Sequence, residues 1–314
     1  MIHTIENNCL KIQISDAGAE LCSIYDKDNN HEVLWQADPV YWKRHAPVLF
    51  PNVGRNYNDT FCVNGMSYPS KQHGFARDSV FTCISATADS VTHRLVSSET
   101  TKAVYPFDFI FEVTHSLSDR QVIVSWKISN TGDTPMYFTI GGHPAFNVPV
   151  LVGTSYTDYS LAFEGKDSLS YILLDPSNGT AVTDQIYNLP MTDSRCALKT
   201  DMFDHDALVF DSGQIEQAAI LYPDGKPYVV MTCEGFPNFG IWSVPGAPFV
   251  CLEPWIGRCD DRGFEGELAE KKNINALNAG EVFKKEYSIA VFKTLSLLIG
   301  KVFYCCLKLM VMWG

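Results

Sequence analysis

The sequence has no glycine-rich phosphate loop, no C-x-x-C pair, no basic block and no repeat at a fixed period. Each absence removes a class of function. Without G-x-G-x-x-G or G-x-x-x-x-G-K-[ST], a dinucleotide or nucleoside triphosphate site has no support in the chain. Ten cysteines (Cys9, Cys22, Cys62, Cys83, Cys196, Cys233, Cys251, Cys259, Cys305 and Cys306) are scattered without metal-ligand spacing. They read as small apolar residues of a protein kept in a reducing compartment, and no metal is expected. The 24 lysines and arginines are outnumbered by 36 acidic residues, giving a net charge of -12. That balance argues against nucleic acid or an anionic membrane as partner, and for a small neutral ligand. The opening MIHTIENNCLKIQ lacks the basic end and apolar run of a secretion signal, so a cytoplasmic location is expected.

What is present reads as strands. Period-two alternation recurs in short runs: CLKIQI (9–14), FDFIFEVTHSL (107–117), QVIVSWKIS (121–129), QAAILY (217–222), PYVVMTC (227–233) and EYSIAVF (286–292). Ser118-Asp119-Arg120 predicts a hairpin loop, and Tyr222-Pro223-Asp224-Gly225 a turn in which proline presets one dihedral and glycine takes the positive one. No stretch before residue 294 sustains a helical period over three turns, and no linker divides the chain. The expectation is a single all-β domain over 1–292, a large antiparallel sandwich. Residues 293–314 form an apolar extension in which Lys301 and Lys308 interrupt the run before it reaches the roughly 20 clean residues of a spanning helix. A packed or membrane-lying helix and an extension without function both fit it.

Four segments set ionisable residues among glycines, prolines and aromatics: YFTIGGHPAFNVP (137–149), FPNVGR (50–55), KQHGFAR (71–77) and FVCLEPW (249–255). In the first, an alternating strand stops on Gly141-Gly142, then His143 and Pro144. In the last, a strand carries Glu253 to its end before Pro254 and Trp255. Buried carboxylates are rare unless paired or used, and the plain alternative for Glu253 is an ion pair with a neighbouring arginine. Opening a cyclic hemiacetal requires a base at the anomeric hydroxyl and an acid at the ring oxygen. A carboxylate and an imidazole facing each other across a sugar supply both near neutral pH, with no metal or cofactor.

GGHPAFN, KQHGFAR, APVLFPNVGR and FVCLEPWIG resemble the corresponding blocks of the aldose 1-epimerase (galactose mutarotase) family, most closely its bacterial LacX-like branch. The resemblance runs from about residue 1 to about 292, with AGAELCSIYD (17–26) and EVLWQADPVYW (32–42) fitting the family's start. It implies a galactose mutarotase-like super-sandwich of antiparallel sheets, a small-molecule sugar as substrate, no cofactor, and a monomer or homodimer. Residue by residue, it implies that His143 is the general acid at the ring oxygen, Glu253 the general base, and His73 a second histidine near the reacting centre. Arg55 matches an arginine that binds sugar hydroxyls and neutralises Glu253. Asp206, preferred over Asp204 because it directly precedes an apolar run, matches an aspartate that binds a distal hydroxyl. Arg77 fits an HGxxR pattern that holds phosphate in some relatives, or else forms a structural pair. Trp255 and Phe146, beside the site motifs, are candidates to stack on the sugar. Trp35, Trp42, Trp126 and Trp242 are expected in the core, and His3, His31, His45, His93, His115 and His205 as exposed or structural.

The expected activity is interconversion of α and β anomers of a free hexose such as galactose or glucose. The alternatives are a hexose-6-phosphate 1-epimerase and a non-catalytic carbohydrate-binding protein. The glycines before His143 are expected to let a sugar approach the strand end, with Pro144 aiming the ring.

Overall fold

A computed structural model describes residues 1–294, and the apolar extension from residue 295 onward lies outside the described residues. Two large antiparallel sheets face each other. One has nine strands, with Phe109–Ser118, Gln121–Asn130 and Val282–Val291 adjacent near its centre. The other has eight, with Asn238–Trp242, Phe249–Ile256 and Ile140–Gly142 as neighbours. A four-stranded sheet formed by Ile2–Glu6, Leu10–Ser15, Leu21–Asp26 and His31–Glu32 accompanies them. Helix among the described residues is confined to Glu99–Lys102 and short 3-10 turns.

The alternating runs form strands because every second residue is apolar and can be buried on one face. In Gln121–Asn130 it is Val122, Val124, Trp126 and Ile128 that are buried in the core. Ser118 pairs with Gln121, so the hairpin loop is only Asp119-Arg120, with Asp119 in the left-handed region. Gly225 donates its N–H to the Tyr222 carbonyl at 2.9 Å and has φ +80°, as the turn chemistry requires.

The core between the sheets is rich in aromatics. Phe50 sits amid Phe75, Tyr105, Phe109, Phe111 and Phe138, with ring centroids 4.8–6.1 Å away. Truncating such a residue costs about 3–5 kcal/mol, so the segment that carries Asn52 to Arg55 toward the site is firmly anchored at its start.

The eight-stranded sheet also covers its opposite face, and this positions the site. Along Phe249–Ile256, Val250, Leu252 and Ile256 enter the inter-sheet core. Phe249 and Cys251 join a separate cluster with Trp35 and Ala145, and Trp255 a third cluster with Leu49, Val53 and Val209. Strict alternation thus assigns Glu253 to the outer face, between Cys251 and Trp255.

Candidate active site

Glu253 and His143 meet on that outer face. Glu253 is 1% exposed and His143 6%, with Oε2 of the carboxylate 3.2 Å from Nε2 of the imidazole. Their strands are neighbours, since Gly141 pairs with Trp255 and Ile140 with Ile256. Along this strand Ile140 faces the core and Gly142 faces Tyr287 of the other sheet, so Gly141 and, beyond the strand end, His143 share the site face.

The two glycines serve packing rather than ligand approach, which corrects the sequence expectation. A Cβ on Gly141 would stand 2.4 Å from Cδ1 of Trp255, and one on Gly142 would stand 2.7 Å from the Tyr287 hydroxyl. Gly240, opposite Glu253 on the other neighbouring strand, would meet the same indole at 2.4 Å. Trp255 thus lies flat across bare backbone on both sides of its own strand, beside the carboxylate.

His73 completes a triangle of ionisable groups. Its ring centroid is 5.5 Å from that of His143, edge to face. It has φ +65°, unusual for a histidine, and two hydrogen bonds with Gly54 hold it there. The His73 N–H donates to the Gly54 carbonyl at 2.8 Å, and the Gly54 N–H donates to His73 Nδ1 at 3.0 Å. Nδ1 is therefore the acceptor, which leaves Nε2–H as the donor of the neutral ring.

Burial dominates the electrostatics. It pushes the Glu253 carboxyl well above the usual range, the nearby Asp206 charge adds to this, and the Trp255 indole opposes it. Burial also drives His143 down to about 3 and His73 well below the usual imidazole value, with Arg77 and Arg44 contributing by charge repulsion in both cases. Without a ligand, burial therefore favours the uncharged form of both groups.

Arg55 does not neutralise Glu253. One of its guanidinium nitrogens donates to both carboxylate oxygens of Asp59, at 2.8 and 3.0 Å. Among the described residues no lysine or arginine forms an ion pair with Glu253, so the structural-pair alternative has no partner. Arg55 instead lines a cleft of about 400 Å³ with Asp59, Gln72, Asp175, Asn178 and Asp206. Asp206 thus faces the same space as Arg55 and is felt by Glu253, which favours it over Asp204. Arg77 is held by the Gln72 carbonyl at 2.7 Å, with its Nε buried and unpartnered.

Phe146 does not reach the site. It is 0% exposed within the inter-sheet core, because alternation turns Ala145 outward and Phe146 inward. Trp42 and Trp242, expected in the core, border the site instead. Trp42 stacks on the His143 ring at 4.8 Å and Trp242 meets its edge at 5.6 Å. Trp242 had a signal in the sequence, because alternation in NFGIW sends Phe239 and Ile241 inward and Gly240 and Trp242 outward. Trp42 belongs to a loop and had none. Arg44, whose guanidinium bonds Asp78 at 2.7 Å and the Arg77 carbonyl at 3.3 Å, was also missed.

His143, Cys251 and Glu253 each bring one metal-ligating atom within 4.8 Å of the others. Burial raises the Cys251 pKa well above normal, so it remains a thiol, a poor ligand. This set fits proton transfer better than metal binding.

The sequence model of the Aldose 1-epimerase family matches residues 1–289. The chain is 31% identical over 297 residues to the plasmid and chromosomal LacX proteins of Lactococcus lactis subsp. lactis, covering 91% of this chain and 98% of the relative. Among solved structures, a galactose mutarotase related enzyme from Lactobacillus acidophilus is similar with a TM-score of 0.89 at 36% identity, over 94% of this chain and 98% of that one. A galactose mutarotase-like protein from Lactobacillus casei gives 0.85 at 30% identity, over 93% and 100%. With its sandwich, its site-bearing sheet and these likenesses in agreement, the chain belongs to the aldose 1-epimerase family, in the branch that holds the LacX proteins.

Proposed function

We propose that the protein is an aldose 1-epimerase that interconverts the α and β anomers of a free hexose such as galactose or glucose. The observation that carries this reading is the buried Glu253–His143 pair, 3.2 Å apart and without a cationic partner for the carboxylate. A carboxyl and an imidazole in contact, with no counter-ion to fix the carboxylate, are the two groups that proton exchange at the anomeric hydroxyl and the ring oxygen requires.

In this reading, Glu253 takes the proton of the anomeric hydroxyl while His143 gives one to the ring oxygen. The C1–O5 bond breaks, the aldehyde forms, and rotation about C1–C2 presents its other face before the steps reverse. The pair holds one transferable proton throughout. In the empty site burial places it on Glu253. Sugar hydroxyls donating to the carboxylate stabilise its ionised form and favour transfer of that proton to the imidazole. His73 donates from Nε2 to the sugar near the reacting centre. Trp42 and Trp242 offer aromatic surface to the C–H face of the ring, and Arg55 and Asp206 take hydroxyls in the adjoining cleft.

The test is direct. Freshly dissolved α-galactose and α-glucose should reach anomeric equilibrium in a polarimeter faster with the protein than without it. No acceleration on any free aldose, with the same protein binding sugar by calorimetry, would leave a carbohydrate-binding role instead.

A further inference from the structure

A second group of metal-ligating side chains belongs to none of the site motifs. Cys83 and His93 are direct cross-strand partners in the hairpin Thr82–Ala86/Ser90–Val96, at the edge of the nine-stranded sheet. His3, on the first strand of the four-stranded sheet, places its ring 5.1 Å from that of His93. One ligating atom from each of His3, Cys83 and His93 lies within 4.8 Å of the other two. Asp16 joins them, its Oδ1 lying 2.7 Å from Nε2 of His3 and 3.2 Å from Nε2 of His93.

The wiring of His93 points to a ligand. The residue is fully buried, Asp16 engages Nε2, and Nδ1 has no hydrogen-bond partner. A carboxylate on one ring nitrogen is the arrangement that fixes the tautomer and orientation of a metal-bound histidine. His3 and Cys83 are only partly buried and leave the cluster open to an ion from solvent.

We propose that His3, Cys83 and His93, with Asp16 as their carboxylate partner, bind a zinc-type divalent cation. Two imidazoles and a thiolate are ligands that zinc accepts, at about 2.0–2.1 Å for nitrogen and 2.3 Å for sulfur. The thiolate brings a full negative charge to the ion, and the Asp16 carboxylate, whose Oδ2 also meets the Met1 ammonium at 3.0 Å, brings a shared one. A tetrahedral set needs donors roughly 3.3–3.7 Å apart, so the cluster closes on the ion by about 1 Å of side-chain adjustment. Binding ejects the thiol proton and clips three segments together: the first strand through His3, the 15–17 turn through Asp16, and the edge hairpin through Cys83 and His93.

Cobalt(II) reports this site, because tetrahedral cobalt bound to a thiolate gives a charge-transfer absorption band that a site of nitrogen and oxygen ligands does not. The full chain, free of any histidine tag, should develop the band at one equivalent, lose it on adding zinc, and melt at a higher temperature with zinc than after chelation. Cys83→Ser should abolish the band, and His3→Ala, at a partly exposed position, should weaken binding at least about tenfold. Cys251→Ser should keep the band, because that thiol belongs to the Glu253 cluster. Absence of the band in the parent protein overturns the proposal. So does a band that survives Cys83→Ser and disappears in Cys251→Ser, which would put the ion in the sugar site.

Discussion

A side chain at Gly141 and the indole of Trp255 cannot occupy the same space, because the Cβ would stand 2.4 Å from Cδ1. Gly141→Ala should therefore displace Trp255, and with it the wall beside Glu253. Overpacking of this kind costs about 1–3 kcal/mol, and the epimerase rate should fall more than stability suggests, since Trp255 is two residues from the carboxylate on the same face. Gly240→Ala meets the same indole at the same distance and should behave alike. Melting curves and polarimetric rates on both variants check this, and unchanged stability in both would mean that Trp255 does not lie across these strands.

Glu253→Gln and His143→Asn should each lower turnover by at least about 10²-fold while leaving the melting temperature close to the parent's or above it. Stability should not suffer because removing an uncompensated buried acid also removes a desolvation cost. Polarimetry with a melting curve reads both quantities. Near-normal turnover in either variant would take that residue out of the mechanism.

The sequence disclosed the sheets and the motifs for one physical reason, the two-residue period. The strand that carries Glu253 reads as ending before Pro254, whereas it runs on to Ile256, and only with that extension does alternation set Cys251, Glu253 and Trp255 on one face. Pairing across strands was not legible in the same way. Gly141 and Gly240 stand about a hundred residues apart, and nothing local says that Trp255 covers both. Phe146 was misread through proximity to His143 in the chain, where the alternation already turned it inward. Arg55 was assigned to Glu253 on resemblance, while Asp59, four residues away, holds it. Trp42 reaches His143 from a loop, and loops carry no periodicity from which direction can be read.

The pH dependence should be unusually broad. The pair works while it holds one proton, which it gains in excess only below the His143 value, near 3, and loses above the Glu253 value, well above the usual carboxylate range. The ratio kcat/KM should thus show no acid-side loss around pH 6.5, the ordinary imidazole value, because His143 gains its extra proton only near 3. A half-loss near that pH on the acid side would show that His143 titrates as an exposed histidine does.

Stability should fall in acid for a related reason at a position outside the site. His115 is fully buried, and burial lowers its pKa to about 3. Its unfolded value is near 6.5, so between these values the unfolded chain binds a proton that the folded chain refuses. Unfolding free energy should drop as pH falls through that window, by up to about 1.4 kcal/mol per unit for this one group. Urea unfolding at several pH values should show a smaller drop in His115→Gln than in the parent, and equal slopes would mean that His115 gains its proton without unfolding.

The choice between a free and a phosphorylated sugar rests on the charges around the cleft. Its lining sets one arginine, Arg55, against three aspartates, Asp59, Asp175 and Asp206, and Asp59 already engages Arg55. Hydrogen bonds from Ser177 hold the Asp175 carboxyl below its usual pKa, which keeps that charge in place at neutral pH. A phosphate dianion entering this space meets net repulsion, whereas neutral hydroxyls find acceptors on every side. The opposing feature is the Arg44–Arg77 pair, whose charges reach both His73 and His143. Arg77 is mostly buried and bound to Gln72, and burial beside Arg44 lowers its pKa to about 10, still high enough to keep it charged. Free galactose or glucose should therefore exchange anomers faster than glucose 6-phosphate at equal concentration, measured by exchange NMR. Arg77→Ala should slow both sugars by a similar factor, because the residue supports the loop that carries His73. A preference for the phosphorylated sugar that disappears in Arg77→Ala would reverse the assignment and make Arg77 the phosphate ligand.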